Sequence, residues 1–378
     1  MFILKDESNC TACTTCMNVC PKDAIKMILK EDGFRYPIID QSKCINCGLC
    51  KKVCPVISTN KNKSINQCFV AFSKDVKLKE KASSGGMFPL IANYILDNDG
   101  YVIGAAFDDN NELNHIVINR KEDLRQLMGS KYLQSNLNDV FTFVKTNVIS
   151  KKILFVGTPC QVAGLKMFLK KDYDNLICID LICHGVPSLK LFKKYLDNIE
   201  EENNSKVINC NFRDKSTGWD SYSTTILLND KKISKIHNDD DYMRLFLSDV
   251  ALRKSCYNCN FKLGNKYSDI TLGDFWGIKK FYPKMYDDKG VSAVIINTEK
   301  GKNIFDIIKE DLVFINCHLE EIVEGNPSLK KSAILSKKRE LFFKDLDNKS
   351  INYLVSKYEK KMSLTRKIKI RIKKILKR

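Results

Sequence analysis

Long apolar runs are missing from this sequence. No stretch approaches the ~20 apolar residues that a membrane-spanning helix needs. The opening residues, MFILKDES, have no apolar core and no small-residue cleavage site, so they do not read as a secretory signal. Both absences point to a cytoplasmic, reducing setting, which argues against disulfides. Proline is scarce (8 in 378 residues), glycine is modest (17), and no low-complexity linker breaks the chain. The clearest boundary is the polar segment 57–67, ISTNKNKSINQ, which lacks apolar periodicity. At 44% apolar and 29% charged, composition is that of an ordinary soluble protein with a sizeable core. Acid is short in one place only. Residues 360–378 hold ten Lys or Arg and no acid, which is +10 of the net +18. The body carries a mild excess, so a nucleic-acid role is not expected.

Cysteine is what the chain has in quantity: 16. CTACTTCMNVCP (Cys10 to Pro21) recurs as CINCGLCKKVCP (Cys44 to Pro55) at an offset of 34 residues. The spacing CxxCxxCxxxCP is the bacterial ferredoxin run, whose fourth cysteine ligates the other cluster. Three thiolates on one tight loop reach three irons of a cubane, and the fourth corner must be met from elsewhere. The reading is therefore Cys10, Cys13, Cys16 and Cys54 on one 4Fe-4S cluster, with Cys44, Cys47, Cys50 and Cys20 on the other. Zinc is the competing reading, although structural zinc favours separated CxxC pairs. Between the repeats, KMILKEDGFRYPIID predicts a hairpin turning at Glu31-Asp32-Gly33.

Beyond the repeats the sequence runs in strand–loop–helix units. These predict a helix over 87–96, strands over 101–107, 153–156 and 176–182, and helices over 161–169 and 187–199. Such a series predicts an α/β domain with some parallel pairing. SYSTTILL and KKISKIH read as an added antiparallel pair. Cys160 and Cys183 fall just past the ends of consecutive strands, where open α/β sheets bind ligands. Cys256 and Cys259 form a CxxC. One cluster or metal would collect all four. The alternative is that Cys160 and Cys183 pack and the CxxC is a redox dithiol or half a zinc site. Cys178 reads as core, and Cys68, Cys210 and Cys317 as companionless packing residues.

The motifs SSGGMF, GSKYLQS, GTPCQVAGL, DLICHGVPS, FRDKSTGW and CYNC…SDITLGDFWG follow in this order behind the double ferredoxin motif. In that combination the chain resembles the coenzyme F-420 hydrogenase/dehydrogenase beta-subunit family, from about residue 5 to about residue 315. With the cysteine repeats and the basic end, the resemblance gives an α+β and α/β architecture: a ferredoxin-like module (1–62) read from the repeats, a mixed α/β flavin-binding domain in two parts (63–150 and 151–320) implied by the resemblance, and a helical basic tail (321–378) read from its composition. It also implies FAD, and it strengthens the third cluster on Cys160, Cys183, Cys256 and Cys259. Clusters carry single electrons and most organic substrates exchange a hydride; a flavin does both. Residues suggested for the flavin are Ser83, Ser84, Gly85 and Gly86 at a helix start, Lys131, Thr158, Gln161, Asp274 and Trp276. His184 and Lys131 are the catalytic candidates, and Arg213 and Trp219 are suggested to face substrate. The expected partners are a ferredoxin or another oxidoreductase subunit, and a small-molecule substrate or hydride-carrying coenzyme. The basic end, SLTRKIKIRIKKILKR, has the pattern of an interfacial helix that would bring the chain to the inner face of the membrane; docking on an acidic partner protein is the equal alternative, and a solvated terminus the plain one.

Overall fold

The computed structural model describes residues 4, 6–58, 65–264 and 266–360. The basic segment 363–378 lies outside the described residues. Among them, no helix is long and apolar enough to cross a membrane.

The ferredoxin-type module is two short helices, Thr15–Asn18 and Leu49–Lys52, around the hairpin Ile25–Leu29 and Arg35–Ile39. Its turn closes through Gly33 at φ +76°, a conformation that glycine adopts at no steric cost.

The body is built on one eight-stranded mixed sheet. Its order is Leu312–Asn316, Gln67–Ser73, Ser292–Ile296, Ile270–Asp274, Leu176–Leu181, Ile153–Gly157, Tyr101–Phe107, Leu113–Ile118. The four strands from Ile270–Asp274 to Tyr101–Phe107 run parallel, so their carboxyl ends share one edge. Helices Met87–Asp97, Pro159–Leu169 and Glu299–Ile308 pack apolar faces on the sheet. The expected antiparallel pair is Ser223–Leu228 with Lys232–Ile236, but a third strand, Val207–Asp214, joins it.

Three expectations need correction. The helix expected over 187–199 is Leu189–Asn203: Ser188 caps it, and Pro187 pairs instead with Leu252. The stretch assigned to a basic tail is not a free tail up to Tyr358, because Arg339–Asn348 and Ile351–Tyr358 pack onto the body and bury Phe342, Leu346 and Leu354. Cys317 and Cys68 are neighbours, the Cys317 N–H donating to the Cys68 carbonyl at 3.0 Å.

The module is fastened to the body at several points. Its hairpin turn caps a body helix: the Leu189 N–H donates to the Gly33 carbonyl at 3.2 Å, and Ser188 Oγ donates to the Asp32 carbonyl at 2.7 Å. Gln134 Nε2 donates to the Thr11 carbonyl at 2.8 Å.

Candidate iron–sulfur centres

Both cysteine loops take the same strained path. The second and fourth residues after the first cysteine have positive φ in each repeat: Ala12 (+53°) and Thr14 (+59°), then Asn46 (+55°) and Gly48 (+72°). A left-handed conformation costs a non-glycine residue about 1–2 kcal/mol. Strain repeated at matching positions serves the loop's interior, where it turns N–H groups toward sulfur. The Ala12 N–H donates to Cys10 Sγ at 3.4 Å, and the Ala24 N–H to Cys20 Sγ at 3.3 Å. Such bonds stabilise thiolate and set cluster potentials.

Cys10, Cys13, Cys16 and Cys54 line one cavity, with Thr11, Met27, Pro37 and Val56. Cys50 lies in the electrostatic reach of Cys47 and Cys20. Each repeat thus sends its last cysteine toward the other. The two groups face differently. Cys13 and Cys54 are buried, while Cys47 is exposed beside Ile45, which is 58% exposed. Burial pushes the thiols of Cys13 and Cys16 up, and that of Cys54 to about 11. Metal must therefore displace their protons, which makes cluster loading pH-dependent.

The third group sits at the carboxyl edge of the parallel strands. Cys160, Cys183, Cys256 and Cys259 line one cleft of about 690 Å³, mouth included. Cys160 is in the first turn of Pro159–Leu169, held by a capping box. Gln161 Oε1 accepts from the Thr158 N–H at 2.9 Å, and Thr158 Oγ1 lies 3.2 Å from Cys160 Sγ. Cys183 follows the strand Leu176–Leu181, and of the CxxC, Cys256 sits within the turn Lys254–Asn258 and Cys259 caps its end. Burial raises the thiols of Cys160 and Cys183, and that of Cys256 to about 12. Cations line the same cleft: Arg253, Lys262 and Lys266. A wall of cations around four cysteines suits deprotonated sulfur. Among the described residues, no three His, Cys, Asp or Glu groups form a site for a single metal ion. Two of the three cysteine groups each line a cavity of their own.

The other sequence candidates divide between two places. Thr158, Gln161 and His184 belong to the cleft. Gln161 is spent on the cap and on Ser135 Oγ at 2.9 Å. His184 Nε2 meets Asp249 Oδ1 at 2.6 Å and its Nδ1 meets Ser328 Oγ at 3.2 Å. Ser83, Asp274, Trp276, Arg213 and Trp219 meet elsewhere. Arg213 Nη2 donates to the Ser83 carbonyl at 3.1 Å and to Asp274 Oδ1 at 3.0 Å, and Trp219 Nε1 donates to the same oxygen at 2.7 Å. Trp276 stacks on Trp219 at 4.7 Å. Ser84 Oγ donates to the Val291 carbonyl at 2.9 Å, and the Gly85 N–H donates to Ser292 Oγ at 2.9 Å. Gly86 starts the helix Met87–Asp97 without a side-chain cap. Lys131 Nζ donates to the carbonyls of Gln126 and Met128, and burial lowers its pKa to about 7.

Sequence reasoning missed Arg253, Lys262, Gln134 and Ser135. Gln134 and Ser135 stood inside GSKYLQS, a motif weighed only for its lysine. Segment 129–135 joins all three regions. The Ser130 N–H donates to Ser83 Oγ at 2.7 Å, Gln134 reaches the module, and Leu133 to Ser135 line the cleft.

A ferredoxin-type double-cluster module fastened to a mixed α/β body, with a third cysteine group at the sheet's ligand edge, defines an iron–sulfur protein of the oxidoreductase class. Family comparison agrees. Residues 9–57 match the 4Fe-4S dicluster domain, residues 68–142 the coenzyme F420 hydrogenase/dehydrogenase beta subunit N-terminal region, and residues 150–321 its C-terminal region. The chain belongs to the coenzyme F420 hydrogenase/dehydrogenase beta subunit family. It is 26% identical over 238 residues to an uncharacterized protein of Methanocaldococcus jannaschii, a match over 61% of this chain and 60% of that relative's length. It is 21% identical over 277 residues to the coenzyme F420 hydrogenase subunit beta of Methanococcus voltae, covering 71% of this chain and 90% of that one. Among solved structures it is similar to a chain of the F420-reducing [NiFe] hydrogenase complex from Methanosarcina barkeri. That likeness has a TM-score of 0.46 at 19% identity, over 79% of this chain and 90% of the other.

Proposed function

We propose that this chain is an iron–sulfur flavoprotein that passes single electrons through three 4Fe-4S clusters to FAD, for hydride exchange with a small substrate or coenzyme. One observation carries the wire. On the helix Pro159–Leu169, Cys160 belongs to the third cysteine group, and Gly164 touches the first. A Cβ at Gly164 would meet Cys13 Sγ at 3.2 Å. Residues four apart share a helix face and lie about 6 Å apart along the axis. The Cys10 group therefore neighbours the Cys160 group, and with the more exposed Cys44 group as the entry point the three would run in file.

Electrons enter at the exposed end. Lys43, Lys51 and Lys52 are exposed there, and residues 41–58 contain no acid, which suits an acidic ferredoxin-like donor.

The flavin places fit an anionic, two-electron carrier. Arg213 Nε is buried without a hydrogen-bond partner, and Lys215 beside it is held near pKa 8 by burial. With the open start of Met87–Asp97, they supply positive charge for a pyrophosphate next to Ser83, Ser84, Gly85 and Gly86. Bound there, FAD would supply the exchange between one-electron and hydride chemistry. Asp274 and Trp276 hold Arg213 and Trp219 in place. Thr158 bonds to the sulfur of Cys160, and His184 is oriented by Asp249.

The deciding experiment is the absorption spectrum and heat-released cofactor of anaerobically purified protein. FAD in near-stoichiometric amount is expected. Cluster-replete protein without any flavin would leave the second reading, an electron-relay subunit docked to a partner oxidoreductase. That reading draws support from Ser84 and Asp274, whose polar atoms already have protein partners.

Lys131 gives a pH test. Its ammonium would stabilise negative charge on the reduced flavin, and it is present below pH ~7 and lost above. Hydride exchange should therefore slow as pH rises through ~7. Lys131→Met should flatten that limb and lower kcat about a hundredfold. A pH profile identical in parent and variant would remove Lys131 from the reaction.

The basic end also has a test. Each Lys or Arg near an anionic leaflet contributes about 1 kcal/mol, so full-length protein should sediment with anionic vesicles in a salt-sensitive way. A chain ending at Glu359 should not. Equal, negligible binding by both would discard membrane contact.

A further inference from the structure

Among the described residues, five lysines or arginines are buried: Lys79, Arg213, Arg253, Lys266 and Arg339. Four have a carboxylate. Lys79 pairs with Asp287, Arg213 with Asp274, Lys266 with Asp180 and Arg339 with Glu340. Arg253 is the exception. Its side chain is 1% exposed, and among the described residues no Asp or Glu oxygen lies within 4.0 Å of it. Its three hydrogen bonds all end on neutral acceptors. Nε donates to the Cys10 carbonyl at 2.6 Å, Nη1 to Gln134 Oε1 at 3.2 Å, and Nη2 to the Arg35 carbonyl at 2.8 Å. The guanidinium lies over the Tyr36 ring at 4.4 Å.

A buried charge without a counter-charge is strongly unfavourable, and hydrogen bonds to neutral groups offset only part of the lost hydration. Position supplies the missing partner. Arg253 holds the backbone of Cys10 on one side, and on the other it lines the cleft of Cys160, Cys183, Cys256 and Cys259. Four thiolates outweigh the charge of an iron–sulfide core, so an occupied site is anionic.

We propose that Arg253 is the shared counter-ion of the buried ferredoxin-type cluster and the third cluster. It raises the reduction potentials of both together, so the driving force between them changes little. It is a positioning and tuning residue, and its role rests on the cluster assignment proposed above. The outer Cys44 group is beyond its contacts.

The test is a redox titration of the full-length, cluster-loaded protein, followed by EPR, with iron and sulfide measured on each sample. In Arg253→Gln, both inner clusters should become harder to reduce by a factor of ten or more in equilibrium constant. That factor is about 59 mV for one electron. The outer cluster should not move. Arg253→Lys, which keeps the charge and breaks the fork of hydrogen bonds, should stay within tenfold of the parent. Three clusters with no shift in Arg253→Gln, or one equal shift in all three, would overturn the counter-ion role alone. A parent that holds fewer than three clusters would sink the assignment and the proposal with it. If Arg253→Gln does not fold, Arg253→Lys decides: parent-like potentials support the proposal, and a tenfold shift overturns it.

Discussion

Replacing Cys160 and Cys183 by serine should lower iron from about twelve to about eight atoms per chain, with sulfide falling in proportion. The signals of the two ferredoxin-type clusters should remain. If FAD is bound as proposed, its reduction by a one-electron donor should stop, because the two ferredoxin-type clusters would have lost their route across the sheet edge. Both cysteines line one cleft with Cys256 and Cys259, and they hang from consecutive strand ends. Iron and sulfide analysis of anaerobically purified protein, with stopped-flow reduction, measures both effects. Unchanged iron would show that the four thiols are packing residues.

The second large effect concerns Gly164. Alanine in place of glycine inside an exposed helix is normally stabilising by about 1 kcal/mol. Here the added Cβ would stand 2.7 Å from Thr15 Oγ1 and 2.9 Å from Cys13 Cβ, and only a shift of the cluster loop relieves it. Overpacking of this kind costs about 1–3 kcal/mol, which outweighs the gain in propensity. Gly164→Ala should therefore lower Tm, and Gly164→Val should lower it further. Both should slow reduction of the proposed third cluster while the two ferredoxin-type clusters stay loaded. Thermal unfolding with cluster content measured in parallel checks this. A rise in Tm for Gly164→Ala would mean that the contact is soft and the module does not seat there.

Much of this was legible in the sequence, for identifiable reasons. Coordination chemistry fixes both residue type and spacing, so the cysteine groups stood out before any fold was known. Strand Tyr101–Phe107 was readable to the residue because a continuous apolar run between Gly100 and acidic residues has few other fates. The helix after DLICHG was misplaced at its start because two rules competed. Proline suits a first turn, yet Ser188 is the stronger cap, and a bridge to Leu252 holds Pro187 outside the helix. Strand Val207–Asp214 went unread because register shifts interrupt its alternation. Arg253 was invisible for another reason. Its acceptors include the carbonyls of Cys10 and Arg35, more than two hundred residues away, and no local pattern encodes such a meeting.

The hairpin turn at Asp32 and Gly33 has a consequence for the lifetime of the chain. It supplies acceptors to the start of the helix Leu189–Asn203, whose inner face packs on Phe212 and Tyr242. Oxygen that strips the outer cubanes would loosen the module, and the loosened turn would leave that helix with an unmet amide deep in the body. Damage at the surface is thereby reported to the core. A chain that has lost its clusters is therefore expected to fray first at Leu189, a difference that limited proteolysis of cluster-free and cluster-loaded protein would read.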